Sequence, residues 1–114
     1  MEEGIVSFSD WSKLNLRVGK IIEITDVEGA DKLYQLTVDL GTELGKRTIV
    51  AGLKPHYKQE ELKDKTCIVF TNLEPKKLKG IESQGMLLAA VSDDESKTKL
   101  IRPDTEIETG SKVR

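Results

Sequence analysis

Leu16-Arg17-Val18-Gly19-Lys20-Ile21-Ile22-Glu23-Ile24-Thr25-Asp26-Val27 is the stretch on which the fold turns. It is rich in isoleucine and valine, the residues that fit a pleated, half-buried surface. Its alternation is imperfect: Val18, Ile22 and Ile24 share one phase, and Ile21 falls on the other. A flat strand with one wet face alternates strictly. The broken phase therefore predicts a long strand that bends and buries different faces along its length. Gly19 lies inside it, and a glycine in a strand interior predicts a bulge or sharp bend.

Working outward, Glu28 to Asp31 reads as a turn. Leu33 to Leu40 reads as a second strand, with Tyr34, Leu36, Val38 and Leu40 on one face. Gly41 to Gly45 reads as a hairpin loop, and Lys46 to Ala51 as a third strand. The period then changes. Pro55 suits a first helical turn and Glu60-Glu61-Leu62 are good helix formers, so Lys54 to Leu62 is a helix candidate. Lys65 to Thr71 is a nearly continuous apolar fourth strand. Asn72 to Gln84 reads as a long loop, and Gly85 to Ser92 as a fifth strand. The order β-β-β-α-β-β with a long, bent first strand is that of an all-β OB-fold, a five-stranded Greek-key barrel. A split α+β sandwich gives the same string.

The barrel core covers about residues 16–92. The flanks carry Phe8, Trp11, Leu100, Ile101, Ile107 and Val113. Ordering them without burial costs too much entropy, so they are expected on the barrel or on a partner chain. In the N-terminal flank, Ser9 has cap chemistry for one helical turn between Phe8 and Leu14. A 114-residue chain fits one domain.

Composition excludes several functions. Cys67 is the sole cysteine and His56 the sole histidine, so no disulfide and no cysteine-rich zinc site forms within the chain. His56 lacks a nucleophile in motif context, and Asp93-Asp94-Glu95 lacks the loop pattern of a calcium site. No catalytic constellation, metal site or cofactor is expected. The acidic start Met1-Glu2-Glu3-Gly4 is followed by no long apolar run. No signal peptide, membrane span or membrane partner is expected, and the default location is cytoplasmic.

Charge is the informative property. The net value of −2 argues, read whole, against a nucleic-acid binder. Divided along the chain it reads differently: −5 over residues 1–45, +5 over 46–80 and −2 over 81–114. The densest basic point is Lys76, Lys77 and Lys79 in the 4–5 loop, and OB-folds bind oligonucleotides between that loop and the 1–2 loop. Two readings of it stand side by side: flexible ammonium groups for phosphate contact, or a solvated loop that keeps the protein soluble. Asn72, Ser83 and Gln84 add donors and acceptors suited to RNA, and Met86 a soft surface; a turn residue and a core residue are the plain readings of Asn72 and Met86. Tyr34 lies in a core phase. Five aromatics with no shared surface stripe argue against stacking-dominated binding and favour recognition of a folded RNA by shape and backbone.

The chain resembles the tRNA-binding domain found at the C-terminus of many methionyl-tRNA synthetases, as a free-standing protein or beta subunit, and in endothelial monocyte-activating polypeptide II. The resemblance runs from Phe8 to Arg114. It is carried by Asp10 to Gly19, Ala30 to Tyr34, Arg47 to Gly52, Asn72 to Met86 and Arg102 to Gly110. It implies an OB-fold that binds the outer corner of tRNA with little sequence preference. It also implies a homodimer whose interface is built by the C-terminal extension, 93–114. By matching position it implies tRNA contacts at Lys32, Asn72, Lys76, Lys77, Lys79, Ser83 and Met86, with Arg47 as an addition. The synthetase's ATP-binding signatures are absent, so a non-catalytic role beside a separate catalytic chain is expected. The Gly41 to Gly45 insertion resembles a peptide-binding secretion-chaperone branch of the family, but the Ser83-Gln84-Gly85-Met86 block favours tRNA.

Overall fold

β1 spans Leu16–Val27, β2 Ala30–Asp39, β3 Lys46–Ala51 and β4 Thr66–Phe70 in a computed structural model that describes residues 4–114. The reading of the acidic Met1-Glu2-Glu3 start lies outside the described residues. β1 changes partner partway along: Leu16 to Lys20 pair with β4, and Lys20 to Val27 pair with β2. That switch accounts for the broken hydrophobic phase. Gly19 is not a bulge, because it pairs in regular register with Cys67. A Cβ there would lie 2.7 Å from Val38 Cγ1 and 3.0 Å from Leu40 Cδ2. Glycine leaves room at the bend of β1 for inward side chains on and just beyond its neighbour β2. The register irregularities fall further on, between Ile21 and Glu23 and between Asp26 and Val27.

On β2, Tyr34, Leu36 and Val38 are buried, as is Leu40 just beyond its end. They join Ile21, Ile49, Leu53, Leu62, Cys67, Val69 and Leu87 in the main core. Full burial of a side chain such as Leu36 contributes about 1.5–3 kcal/mol. A smaller cluster of Leu16, Val18 and Ile68 packs with Phe70, Leu88 and Val113.

The helix between the third and fourth strands is shorter than the sequence predicts. α1 is Phe8–Trp11, α2 is the single turn Gly41–Leu44, and α3 is only Gln59–Leu62. Pro55 lies in a turn in which His56 and Tyr57 both donate to the Leu53 carbonyl. Lys58 is extended and forms the true start of α3, its N–H donating to Glu61 Oε1 at 2.7 Å. The cap of α1 is Ser7, whose hydroxyl accepts from Asp10 N, rather than Ser9.

Asn72 to Gln84 contains a hairpin where the sequence predicts only loop: β5 is Lys76–Leu78 and β6 is Ile81–Ser83. The expected fifth strand divides into β7, Met86–Leu87, paired with β4, and β8, Ala89–Val91, paired with β9, Thr98–Leu100. β10, Lys112–Val113, adds to the start of β1. The main sheet runs β3-β2-β1-β4-β7. Gln84, just before β7, closes it on β3, its N–H donating to the Thr48 carbonyl at 2.8 Å. The result is an antiparallel OB-type barrel with α3 between the third and fourth strands.

Candidate nucleic-acid interface

The lysine-rich hairpin is built on the outer face of β3. Leu36 and Ile49 face each other inward, so the next pair, Gln35 and Val50, belongs to the outward phase. Val50 is nevertheless only 2% exposed, because β5 and β6 cover it. Ser83 ties the cover down: its hydroxyl accepts from Val50 N at 3.0 Å and donates to the Gly85 carbonyl at 3.2 Å. Gln84 Oε1 accepts from Thr48 N. At the tip, Lys79 and Gly80 both have positive φ, 52° and 81°. Such a pair fits a two-residue type I′ turn, whose twist suits a tight hairpin. β6 runs antiparallel to β3 along these bonds, so the tip points toward the Ala51 end. Lys32 belongs to that end, where its carbonyl accepts from Lys54 N.

Of the residues the sequence singles out, Lys32, Lys76, Lys77 and Lys79 are exposed. Among the described residues none of the four is in an ion pair. Met86 is 45% exposed and borders a hollow of about 270 Å³ with Val50, Leu73, Pro75 and Lys76. Lys76, Lys77 and Lys79 thus lie open on the hairpin, Met86 borders its apolar hollow, and Lys32 belongs to the end toward which the tip points.

The polar side chains of three others are engaged within the chain, Asn72 while remaining exposed. Ser83 is 4% exposed and its hydroxyl is engaged as described, so it positions the hairpin rather than offering a free hydroxyl. Asn72 uses both ends of its amide on the N-terminal flank: Oδ1 accepts from Asn15 N at 2.8 Å and Nδ2 donates to the Lys13 carbonyl at 2.7 Å. Arg47 pairs with Val38 in the inward phase, and its Nη1 donates to the Thr71 carbonyl at 2.5 Å. It braces the base of the hairpin loop.

Sequence reasoning missed Arg17. It is 7% exposed, and its guanidinium donates to Asn15 Oδ1, the Gly110 carbonyl and Glu43 Oε1. It thus fastens the C-terminal extension and α2 to β1. The signal was an arginine between Leu16 and Val18 in an apolar strand, since a buried charge needs partners. Above it, Phe8, Trp11, Leu14, Leu16 and Val113 line a groove of about 520 Å³, and Phe8 is 80% exposed.

The remaining chemistry is quiet. Burial pushes the Cys67 thiol up to about 12, which disfavours the reactive thiolate. Hydrogen bonds from the Ser96 N–H and hydroxyl, then from the Ser92 hydroxyl, hold Asp94 below its ordinary value in a solvated turn. Among the described residues, no group of three His, Cys, Asp or Glu is placed to hold a metal ion. No helix of the described residues is long and apolar enough to cross a membrane.

The comparisons with known proteins bear on this surface. A methionine–tRNA ligase from Pyrococcus horikoshii is 60% identical over 109 residues, covering 96% of this chain and 14% of the ligase. The chain thus spans about one-seventh of the length of the ligases it matches. A solved MetRS-related protein from Pyrococcus horikoshii superposes with a TM-score of 0.89 at 36% identity, with full coverage of both chains. The CsaA chaperone protein of Picrophilus torridus superposes at 0.87 with 32% identity, covering 96% of this chain and all of that one. The family described as "Putative tRNA binding domain" matches residues 16–112, nearly the whole barrel and its C-terminal extension, and the chain belongs to that tRNA-binding domain family.

Proposed function

We propose that this chain is a non-catalytic tRNA-binding unit of one domain, residues 1–114, that grips the outer corner of tRNA. The observation that carries the reading is the hairpin: Lys76, Lys77 and Lys79 exposed and outside any ion pair, on a scaffold whose own polar groups are satisfied inside the chain. Phosphate contact of this kind is sequence-tolerant. Lys32 and Met86 complete the contact surface, while Ser83, Asn72 and Arg47 hold the hairpin in place. The protein works in the cytoplasm as a homodimer and assists a methionyl-tRNA synthetase catalytic chain in trans. Tethering the same tRNA at a second place raises the effective affinity of the first. That the ligase of Pyrococcus horikoshii carries a segment 60% identical to this chain supports the pairing. The groove of Phe8, Trp11, Leu14 and Val113 supports a second copy as its occupant, with the C-terminal extension in the interface.

Replacing Lys76 and Lys77 together with alanine should weaken tRNA binding and lower the slope of log affinity against log salt by about 1 to 2 units. An unchanged slope and affinity would remove the hairpin from the site. A second reading, a peptide-binding chaperone, is favoured by the CsaA likeness and the open apolar groove. Competition between total tRNA and an unfolded polypeptide for the purified protein separates the two.

A further inference from the structure

A second basic cluster lies away from the hairpin, around Tyr57. Lys65 Nζ is 5.9 Å and Lys99 Nζ 5.8 Å from the centre of the Tyr57 ring. Both distances are within cation–π reach, and the two ammonium groups therefore lie within about 12 Å of each other. The ring is fixed from both ends. Its hydroxyl accepts from Leu100 N at 3.1 Å, and the Tyr57 carbonyl accepts from the Tyr34 hydroxyl at 2.8 Å. Arg102 follows Leu100 by two residues, and its guanidinium is held on the carbonyl and hydroxyl of Thr66, the residue after Lys65.

None of these three cations is within ion-pair distance of a carboxylate among the described residues. Two ammonium groups held on one ring leave a local positive charge that a bound anion neutralises. The cluster is also joined to the proposed tRNA surface. Lys54 N donates to the Lys32 carbonyl, and the same Leu53–Tyr57 turn sits on Tyr34, two residues along β2.

We infer that Lys65 and Lys99, ordered on the Tyr57 ring, with Arg102 on the adjoining Thr66, form a second RNA-backbone phosphate site that extends the footprint from Lys32 over the end of the barrel. The inference rests on the tRNA reading and enlarges it. It explains why cations outside the basic middle segment, Lys99 and Arg102, are kept beside Lys65. It also gives the sole turn between β3 and α3 a role in recognition rather than in connection alone.

The test is lysine footprinting on the full chain, by amine acetylation and mass spectrometry with and without saturating total tRNA. Protection of Lys65 and Lys99 together with the hairpin lysines is expected. Protection of Lys76, Lys77 and Lys79 alone would overturn the second site and leave the hairpin reading standing. No protection anywhere would overturn both. As a second measurement, Lys65→Ala with Lys99→Ala should lower the salt slope by about 1 to 2 units and leave dimer sedimentation unchanged. A slope equal to the parent protein's would exclude phosphate contact there.

Discussion

The hairpin and the terminal groove are both assembled from segments far apart in sequence, yet they end in opposite states. In the hairpin the polar ties point inward and the charges outward. Ser83 and Gln84 satisfy β3, and Lys76, Lys77 and Lys79 stay in water. In the groove the polar ties form the floor, through Arg17, and the apolar groups of Phe8, Trp11 and Leu14 are left open. The hairpin is therefore complete within one chain and suited to a polyanion that comes and goes. The groove leaves hydrophobic area uncovered, which a second chain would bury. Two adjacent residues join the regions. Thr71 donates from its N–H and hydroxyl to the Asn15 carbonyl. Asn72 begins the hairpin loop and holds the backbone of Lys13 and Asn15.

The comparison is broken most forcefully at Arg17. Arg17→Ala removes three side-chain hydrogen bonds and leaves the Gly110 carbonyl without its donor. Charge-assisted bonds are the stronger kind, so the loss should be about 3 kcal/mol by chemical denaturation. Sedimentation should show dissociation of the proposed dimer, while the hairpin's tRNA affinity per chain changes little. Equal losses in both readouts would mean that the two regions are one cooperative unit.

Ser83→Ala acts on the other side. It leaves the buried Val50 N–H unpaired at a cost of about 2 kcal/mol. Every lysine remains, so a fall in tRNA affinity with an unchanged sedimentation profile would show that the hairpin's placement matters as well as its charge. Asn72→Ala should cost about 1 kcal/mol, because its bonds are solvent-exposed. Its interest is that both readouts should move together, each by a few-fold. If only one moves, Asn72 does not couple the regions.

How much of this was legible beforehand depends on how far apart the interacting residues lie. The limits of β1 and β3 and the inward face of β2 follow from local composition and alternation, and the structure has them there. The role of Gly19 was not legible. Its reason is the Val38 side chain on the paired strand β2, and nothing beside Gly19 in sequence records that approach. The hairpin was missed because Lys76-Lys77-Leu78-Lys79 shows no strand alternation; it is stable because Val50 lies beneath it. The exposed lysines could be read from residue type and density alone. Asn72, Ser83 and Arg47 could not, since a polar side chain looks the same in sequence whether it meets solvent or a backbone far along the chain.

At neutral pH the smallest effect is expected from titration of Cys67, which belongs to neither region but to the β1–β4 wall behind both. Its sulfur lies 3.6 Å from the Gly19 carbonyl, and burial raises its pKa to about 12, above the ordinary value of 9.0. A group whose folded pKa is raised in this way adds stability in its protonated form. That contribution is intact below pH 9 and is lost as pH rises from there toward 12. Near neutral pH it is therefore silent. Between pH 9 and 11 the parent protein should lose stability more steeply than Cys67→Ala, which starts lower because of its cavity but lacks the titrating group. At pH 8 a thiol reagent should leave Cys67 unmodified both in the parent protein and in the Lys76→Ala, Lys77→Ala variant, and should reach it faster in Ser83→Ala. Among these residues, Ser83 is the one bonded directly to β3. Rapid modification in the lysine variant would mean that the hairpin's charges, and not its buried ties, keep the wall shut, and the contrast between charged exterior and satisfied interior would fail.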